Sequence, residues 1–163
     1  MRTVSFIRHA KSPRPAGVPD FERELSERGL NDAPIMGKAI SESFITPELI
    51  ISSSAKRAKI TSRLIAKELD YPEEKIQFLD DLYFADTETY MDIISKLDSD
   101  IKHIYIVSHN PGTTEIVNRV SNARLDNMPT CGIAQISFEI DDWSQIFEEK
   151  GKLLSFDRPK NHR

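Results

Sequence analysis

Thr3-Val4-Ser5-Phe6-Ile7-Arg8-His9 is a β-branched and aromatic run that stops at a guanidinium and an imidazole. Far along the chain, Ile104-Tyr105-Ile106-Val107-Ser108-His109 repeats the arrangement. Short runs of this composition read as buried strands, and each ends on a histidine. In an open parallel sheet the carboxyl ends of the strands share one edge, and ligands bind in the crevice there. His9 and His109 are therefore expected to meet in space, and the chain reads as an enzyme.

Strand and helix patterns alternate outward from these two runs, the signature of an α/β sheet with crossover helices. After the first strand comes an irregular stretch, Ala10 to Leu25, with Pro13, Pro15, Gly17 and Pro19. A loop of this length at the functional edge of a sheet is commonly part of a site. Ser26 is placed to cap a helix running to about Ser43, with Leu30, Ala33, Met36, Gly37 and Ile40 inward and Pro34 inside it. Glu48–Ser52 and Lys75–Leu79 read as strands, Ala55–Leu69 and Glu88–Leu97 as helices. A helix over Thr113–Val120 follows the strand His103–Ser108. Ile133–Ile140 alternates apolar and polar residues, which predicts a half-buried strand near a sheet edge. Lys152–Phe156 is a candidate last strand, and the polar tail 157–163 is expected to fray.

The 163 residues suit a single domain, 1–163, able to bury a sizeable core without metals or disulfides. A formal charge of −4 argues against nonspecific binding to nucleic acid or acidic membranes. Any anion site must then come from a local group of arginines. Cys131 is the lone cysteine, which excludes an internal disulfide and points to a reducing, cytoplasmic setting. The opening apolar stretch, closed by Arg8, is too short for a secretory core or a membrane span.

The expected strand ends and their loops carry Arg8, His9, Ser12, Arg23, Ser52, Ser53, Ser54, Arg57, His109 and Asn110. Several cationic groups on one crevice suit a tetrahedral dianion such as phosphate. Arg57 falls where a helix begins, so its guanidinium and the helix N–H groups both favour an anion. A neutral imidazole attacks phosphorus when its other ring nitrogen is held by an acceptor, and a second imidazole can stabilise the phosphoryl oxygens. Each residue also has an ordinary reading. Arg57 in Ala55-Lys56-Arg57-Ala58-Lys59 fits a solvated helix face, and Arg23 in Asp20-Phe21-Glu22-Arg23-Glu24 fits a surface ion pair. The pattern carries the signal, not any single member.

That pattern resembles the histidine phosphatase superfamily. Arg8-His9-Ala10 is similar to its Arg-His-Gly signature. Ser52-Ser53-Ser54-Ala55-Lys56-Arg57 resembles its serine-rich motif before an arginine, and Ser108-His109-Asn110-Pro111 its second-histidine motif. The resemblance implies a phosphoglycerate-mutase-like fold: three α/β/α layers around a mostly parallel central sheet. It implies His9 as phosphoryl-accepting nucleophile, with Arg8, Arg57 and His109 completing the phosphate pocket. Asp20–Gly29 is similar to a segment of the small SixA-type phosphohistidine phosphatases, which makes Arg23 a further phosphate ligand. Between Arg57 and His109 there is room for one helix, one strand and one more helix, so no helical lid insertion is expected. An open site suits a phosphorylated side chain presented by another protein.

Departures from the pattern narrow the reading. Ala10 and Pro15 stand where mutase-type members carry Gly and Asn, which argues against mutase activity. No clean match exists for the general acid of larger members; Asp86, on the loop toward the next helix, is the candidate, with a solvated loop acid as the alternative. Phosphoryl transfer from a phosphohistidine needs less acid help than an ester does, because the leaving nitrogen can already be protonated. No cofactor is implied. Arg8 and Arg57 would oppose a metal held by His9, His109 and Asp86, and Cys131 lacks an arginine six residues on. The leading expectation is hydrolysis of phosphohistidine on a partner, a histidine phosphotransfer domain or phosphocarrier protein. The alternatives are a phosphatase of small phosphorylated substrates and a phosphate-binding module without turnover.

Overall fold

The computed structural model describes residues 1–163. Its backbone is one six-stranded sheet flanked by helices on both faces. In chain order the elements are β1 (Arg2–Arg8), α1 (Glu27–Ser43), β2 (Leu49–Ser53), α2 (Lys56–Glu68), β3 (Gln77–Leu79), α3 (Thr87–Ser95), β4 (His103–Ser108), α4 (Gly112–Val120), β5 (Ile133–Phe138) and β6 (Lys152–Asp157). The strand order is β3-β2-β4-β1-β5-β6. The first four of these are mutually parallel, and β5 and β6 extend the sheet by antiparallel pairing.

The pleat explains the two cores. Val4 and Phe6 of β1, Leu49 and Ile51 of β2, and Ile104 and Ile106 of β4 project to one face, against α3 and α4. Ile7, Ile50, Tyr105 and Val107 project to the other, against α1 and α2. Alternate residues of a strand lie on opposite faces, so these nearly continuous apolar runs fill both layers at once. No helical insertion lies between α2 and β4 beyond α3 itself.

Three expectations need correction. β5 lies near a sheet edge as expected, next to the edge strand β6, but it is not half-exposed: all six of its residues are buried, because both of its faces are covered. Its polar position Gln135 is satisfied inside, donating from Nε2 to Ser5 Oγ at 2.9 Å and to the Ile45 carbonyl at 2.9 Å. Leu30 is 48% exposed rather than inward. The buried face of α1 begins instead with Gly29, Asp32 and Ala33, since the backbone of Lys11 lies directly against Gly29.

The third correction is the tail 157–163, which does not fray. Pro159 is buried, and Arg163 forms a two-pronged ion pair with the buried Asp32, Nε to Oδ1 at 3.0 Å and Nη2 to Oδ2 at 3.1 Å. A carboxylate enclosed in α1 needs a cation, and the C-terminal residue supplies it.

Gly29 also anchors the loop that precedes α1. The Lys11 carbonyl accepts from Ser26 N–H at 2.9 Å and from Ser26 Oγ at 3.1 Å. Ser26 in turn caps α1 by accepting from Gly29 N–H at 3.1 Å. A Cβ on Gly29 would collide with the Lys11 carbonyl oxygen. Gly29→Ala is therefore expected to destabilise the fold by about 1–3 kcal/mol in urea denaturation, the usual cost of overpacking a fixed backbone. Wild-type stability in that variant would contradict this account of the corner.

Candidate active site

Parallel pairing sets Arg8 of β1 beside Ser108 of β4, so the residues that follow, His9 and His109, emerge together at one sheet edge. Their ring centroids are 5.2 Å apart. Around them is a hollow of about 110 Å³ lined by Arg8, Lys11, Ser12, Arg14, Arg23, Arg57, Phe84, Asn110 and Thr130 as well as the two histidines. Five of these residues are cations and none is an acid.

The backbone of His9 is fixed from both sides. Its N–H donates to the Ser108 carbonyl at 3.0 Å, and Cys131 N–H donates to the carbonyls of Arg8 and His9. Cys131, at φ +57°, is a backbone hinge here, and full burial pushes its thiol well up. Next door, Ala10 N–H donates to Thr61 Oγ1 at 2.9 Å, tying the loop to α2.

The imidazole of His9 is held with equal definition. Nδ1 lies 2.8 Å from the Ala10 carbonyl, an acceptor only, so the ring proton sits on Nδ1. Nε2 is left with its lone pair, 3.3 Å from Arg57 Nε–H. Burial, with His109, Arg57 and Arg8 nearby, holds His9 well below the usual imidazole range. Its neutral form is the nucleophilic one.

His109 is complementary. Ser53 Oγ accepts from Ala55 N–H at 3.2 Å and is hydrogen-bonded to His109 Nε2 at 2.7 Å. The other ring nitrogen, Nδ1, is buried and has no partner. Burial, followed by the charge of Arg57, pushes His109 down to about 3. Phe84 and Tyr83 stack against this ring at 5.3 and 5.5 Å.

The arginines divide into two groups. Arg57, at the start of α2, is 1% exposed, and Arg23 is 6% exposed. Neither is a solvated surface cation, although Arg23 does make the ion pair its neighbours suggested, with Asp20 at 2.8 Å. Arg57 pairs with the same carboxylate at 3.0 Å. Arg8 donates to the Met128 carbonyl at 2.8 Å while its buried Nε has no partner. Burial and the neighbouring Arg14 push the Arg8 guanidinium down. Ser12 donates to the Glu24 carbonyl at 2.6 Å and so shapes the loop.

Asp86 is not brought to this hollow. Its carboxylate caps α3, accepting from Thr89 N–H at 2.9 Å and Thr89 Oγ1 at 2.8 Å, on an exposed face shared with Asp81, Glu88 and Asp92. These hydrogen bonds hold it below the ordinary carboxylate range. An Asp before a helix is a good N-cap, and that local role fixes its side chain away from the histidines. Lys11, Arg14, Phe84 and Thr130 line the hollow without having been singled out in the sequence, and Asp20 and Tyr83 contact its lining residues. Asp20 was legible only through its spacing from Arg23; Tyr83 gave no signal.

Comparison with known proteins fits this geometry. The family described as Histidine phosphatase superfamily (branch 1) matches residues 4–123. The chain belongs to the histidine phosphatase superfamily, and it is a phosphatase. An uncharacterised protein of Mycobacterium leprae is 27% identical, across 94% of this chain and all of its own. The structure assigned as phosphohistidine phosphatase SixA from Agrobacterium tumefaciens superposes with a TM-score of 0.82 at 26% identity, covering 97% of this chain and 98% of that one. A protein histidine phosphatase SixA in complex with tungstate has a TM-score of 0.84 over 99% of both chains, a likeness of fold at 19% identity.

The buried imidazoles carry a stability consequence. An unfolded histidine titrates near its ordinary value of about 6.5, whereas folded His109 titrates at about 3. Between those values the unfolded chain binds more protons, so stability falls as pH falls through that window. Denaturation curves from pH 7 to 4 are expected to lose less stability in His109→Gln than in wild type. Parallel losses would contradict a neutral, buried His109.

Proposed function

We propose that this chain is a phosphohistidine phosphatase that removes the phosphoryl group from a histidine of another protein, through a covalent phosphohistidine on His9. The observation that carries the reading is the tautomer of His9: Nδ1–H is held by the Ala10 carbonyl, and Nε2 keeps its lone pair within a hollow of cations, met by Arg57 Nε–H at 3.3 Å. In the first step the Nε2 lone pair forms a bond to phosphorus as the bond to the leaving nitrogen breaks. Arg8, Arg23, Arg57 and the imidazole of His109 stabilise the phosphoryl oxygens. In the second, water attacks phosphorus, His9 departs with its electron pair, and inorganic phosphate is released.

Two features favour a protein phosphohistidine over an alkyl phosphate. No helical insertion covers the hollow, so a side chain on a partner can enter. No protonated carboxyl reaches it either: Asp86 caps α3, and Asp20 is held ionised by its partners. An alkoxide needs a proton in order to leave, whereas a phosphohistidine nitrogen can carry one already. A histidine phosphotransfer domain or phosphocarrier protein in the cytoplasm fits these requirements. No helix of the chain is long and apolar enough to cross a membrane.

His9→Ala is expected to lower turnover of a phosphohistidine protein by about 10³-fold or more and to abolish acid-labile phosphoenzyme. Asp86→Ala should stay within about twofold of wild type on the same substrate, as expected for an exposed cap. Turnover that survives His9→Ala would refute the covalent route. An alkyl phosphomonoester turned over faster than phosphohistidine, with strong loss in Asp86→Ala, would instead identify a small-molecule phosphatase.

A further inference from the structure

We propose that Asp20 is a positioning residue for anion binding, clamping together the guanidinium groups of Arg23 and Arg57 that line the hollow. The inference rests on reading that hollow as the phosphoryl site. Asp20 opens a short 3-10 turn, Asp20–Glu22, set in the long loop before α1. Its Oδ1 accepts from Arg23 Nη1 at 2.8 Å, and its Oδ2 accepts from Arg57 Nη2 at 3.0 Å and from the Tyr83 hydroxyl. Its own backbone carbonyl accepts from Arg57 Nη1 at 2.6 Å.

One residue therefore engages both terminal nitrogens of Arg57, leaving Nε–H directed at His9 Nε2. Arg23 is fixed at its other nitrogens by the Pro13 and Ser12 carbonyls. Both arginines line the hollow and Asp20 does not, so the carboxylate joins the two guanidiniums without itself lining the space they enclose. Partial burial raises the Asp20 carboxyl, but hydrogen bonds from Tyr83, Arg23 and Arg57 outweigh this and hold it well below the usual carboxylate range. The clamp is thus charged at neutral pH. Tyr83 links it to the second histidine, since its ring meets His109 edge-on at 80°.

Clamping and simple charge predict opposite signs. A carboxylate near an anion site repels the anion, so if Asp20 did nothing but carry charge, its removal would tighten anion binding. The same holds if Asp20 merely occupied the arginines until phosphate displaced it. If it positions the guanidiniums, its removal loosens them and weakens binding, because bidentate arginine contacts depend on orientation.

The test is tungstate binding to the full-length protein by calorimetry at pH 7.5, which needs no turnover. Wild type is expected to bind, with Asp20→Ala about tenfold weaker or more and Tyr83→Phe weaker by about two- to fivefold, in line with lost hydrogen bonds to charged groups. Asp20→Asn keeps a carbonyl acceptor and should fall between wild type and Asp20→Ala; it also serves if Asp20→Ala fails to fold. Thermal melts identify folded variants, so weakened binding is not confused with unfolding. Tighter or unchanged binding in Asp20→Asn and Tyr83→Phe overturns the clamp while leaving the phosphoryl site intact. A wild-type protein that binds no tungstate overturns both.

Discussion

The parallel ladder between β1 and β4 is the constraint on which everything else rests. Its register sets Arg8 against Ser108, and the next residue on each strand is a histidine. Neither imidazole is brought to the other by local structure; the backbone hydrogen bonds of two distant segments do it. A one-residue shift would send every side chain of a strand into the opposite core, so the packing of both layers holds this register. Sheet packing thus places the chemistry to within a few ångströms before any site residue contributes.

The hollow itself is an electrostatic compromise. Gathering five cations and two imidazoles in a partly desolvated space is unfavourable without an anion. The protein moderates this in three ways. Both histidines remain neutral, Asp20 neutralises the most deeply buried guanidiniums, and backbone carbonyls at Met128, Pro13 and Ser12 accept from Arg8 and Arg23. The remaining imbalance lies toward Arg8, Lys11 and Arg14, which make no ion pair with an acid, and an anion in the hollow would relieve it. Affinity for the anion is in this sense prepared in the free protein, with its donors already oriented.

Much of this was legible in the chain, and the limits have physical causes. The strands β1 and β4, the cap at Ser26 and the gathering of Arg8, His9, Arg23, Arg57 and His109 follow from local patterns and parallel topology. Asp86 was misplaced because helix capping competes for the same short acidic side chain. The tail was misjudged because its partner, Asp32, is buried on a helix more than a hundred residues earlier, and no local rule connects them. β5 read as a half-buried strand because its alternation is real; its polar side is covered by the segment at Ile45, which with Ser5 of β1 supplies the partners of Gln135.

By itself the sequence determined the order of strands and helices, the residues ending each strand and the excess of local positive charge. These follow from side-chain volume, polarity and periodicity, which act over a few neighbours. Tertiary structure alone decided the state of each group: which nitrogen of His9 carries its proton, which carboxylate faces the arginines, which histidine lacks a partner. Protonation and hydrogen bonding depend on atoms within about 3 Å, and in this protein those atoms come from segments that only folding brings together.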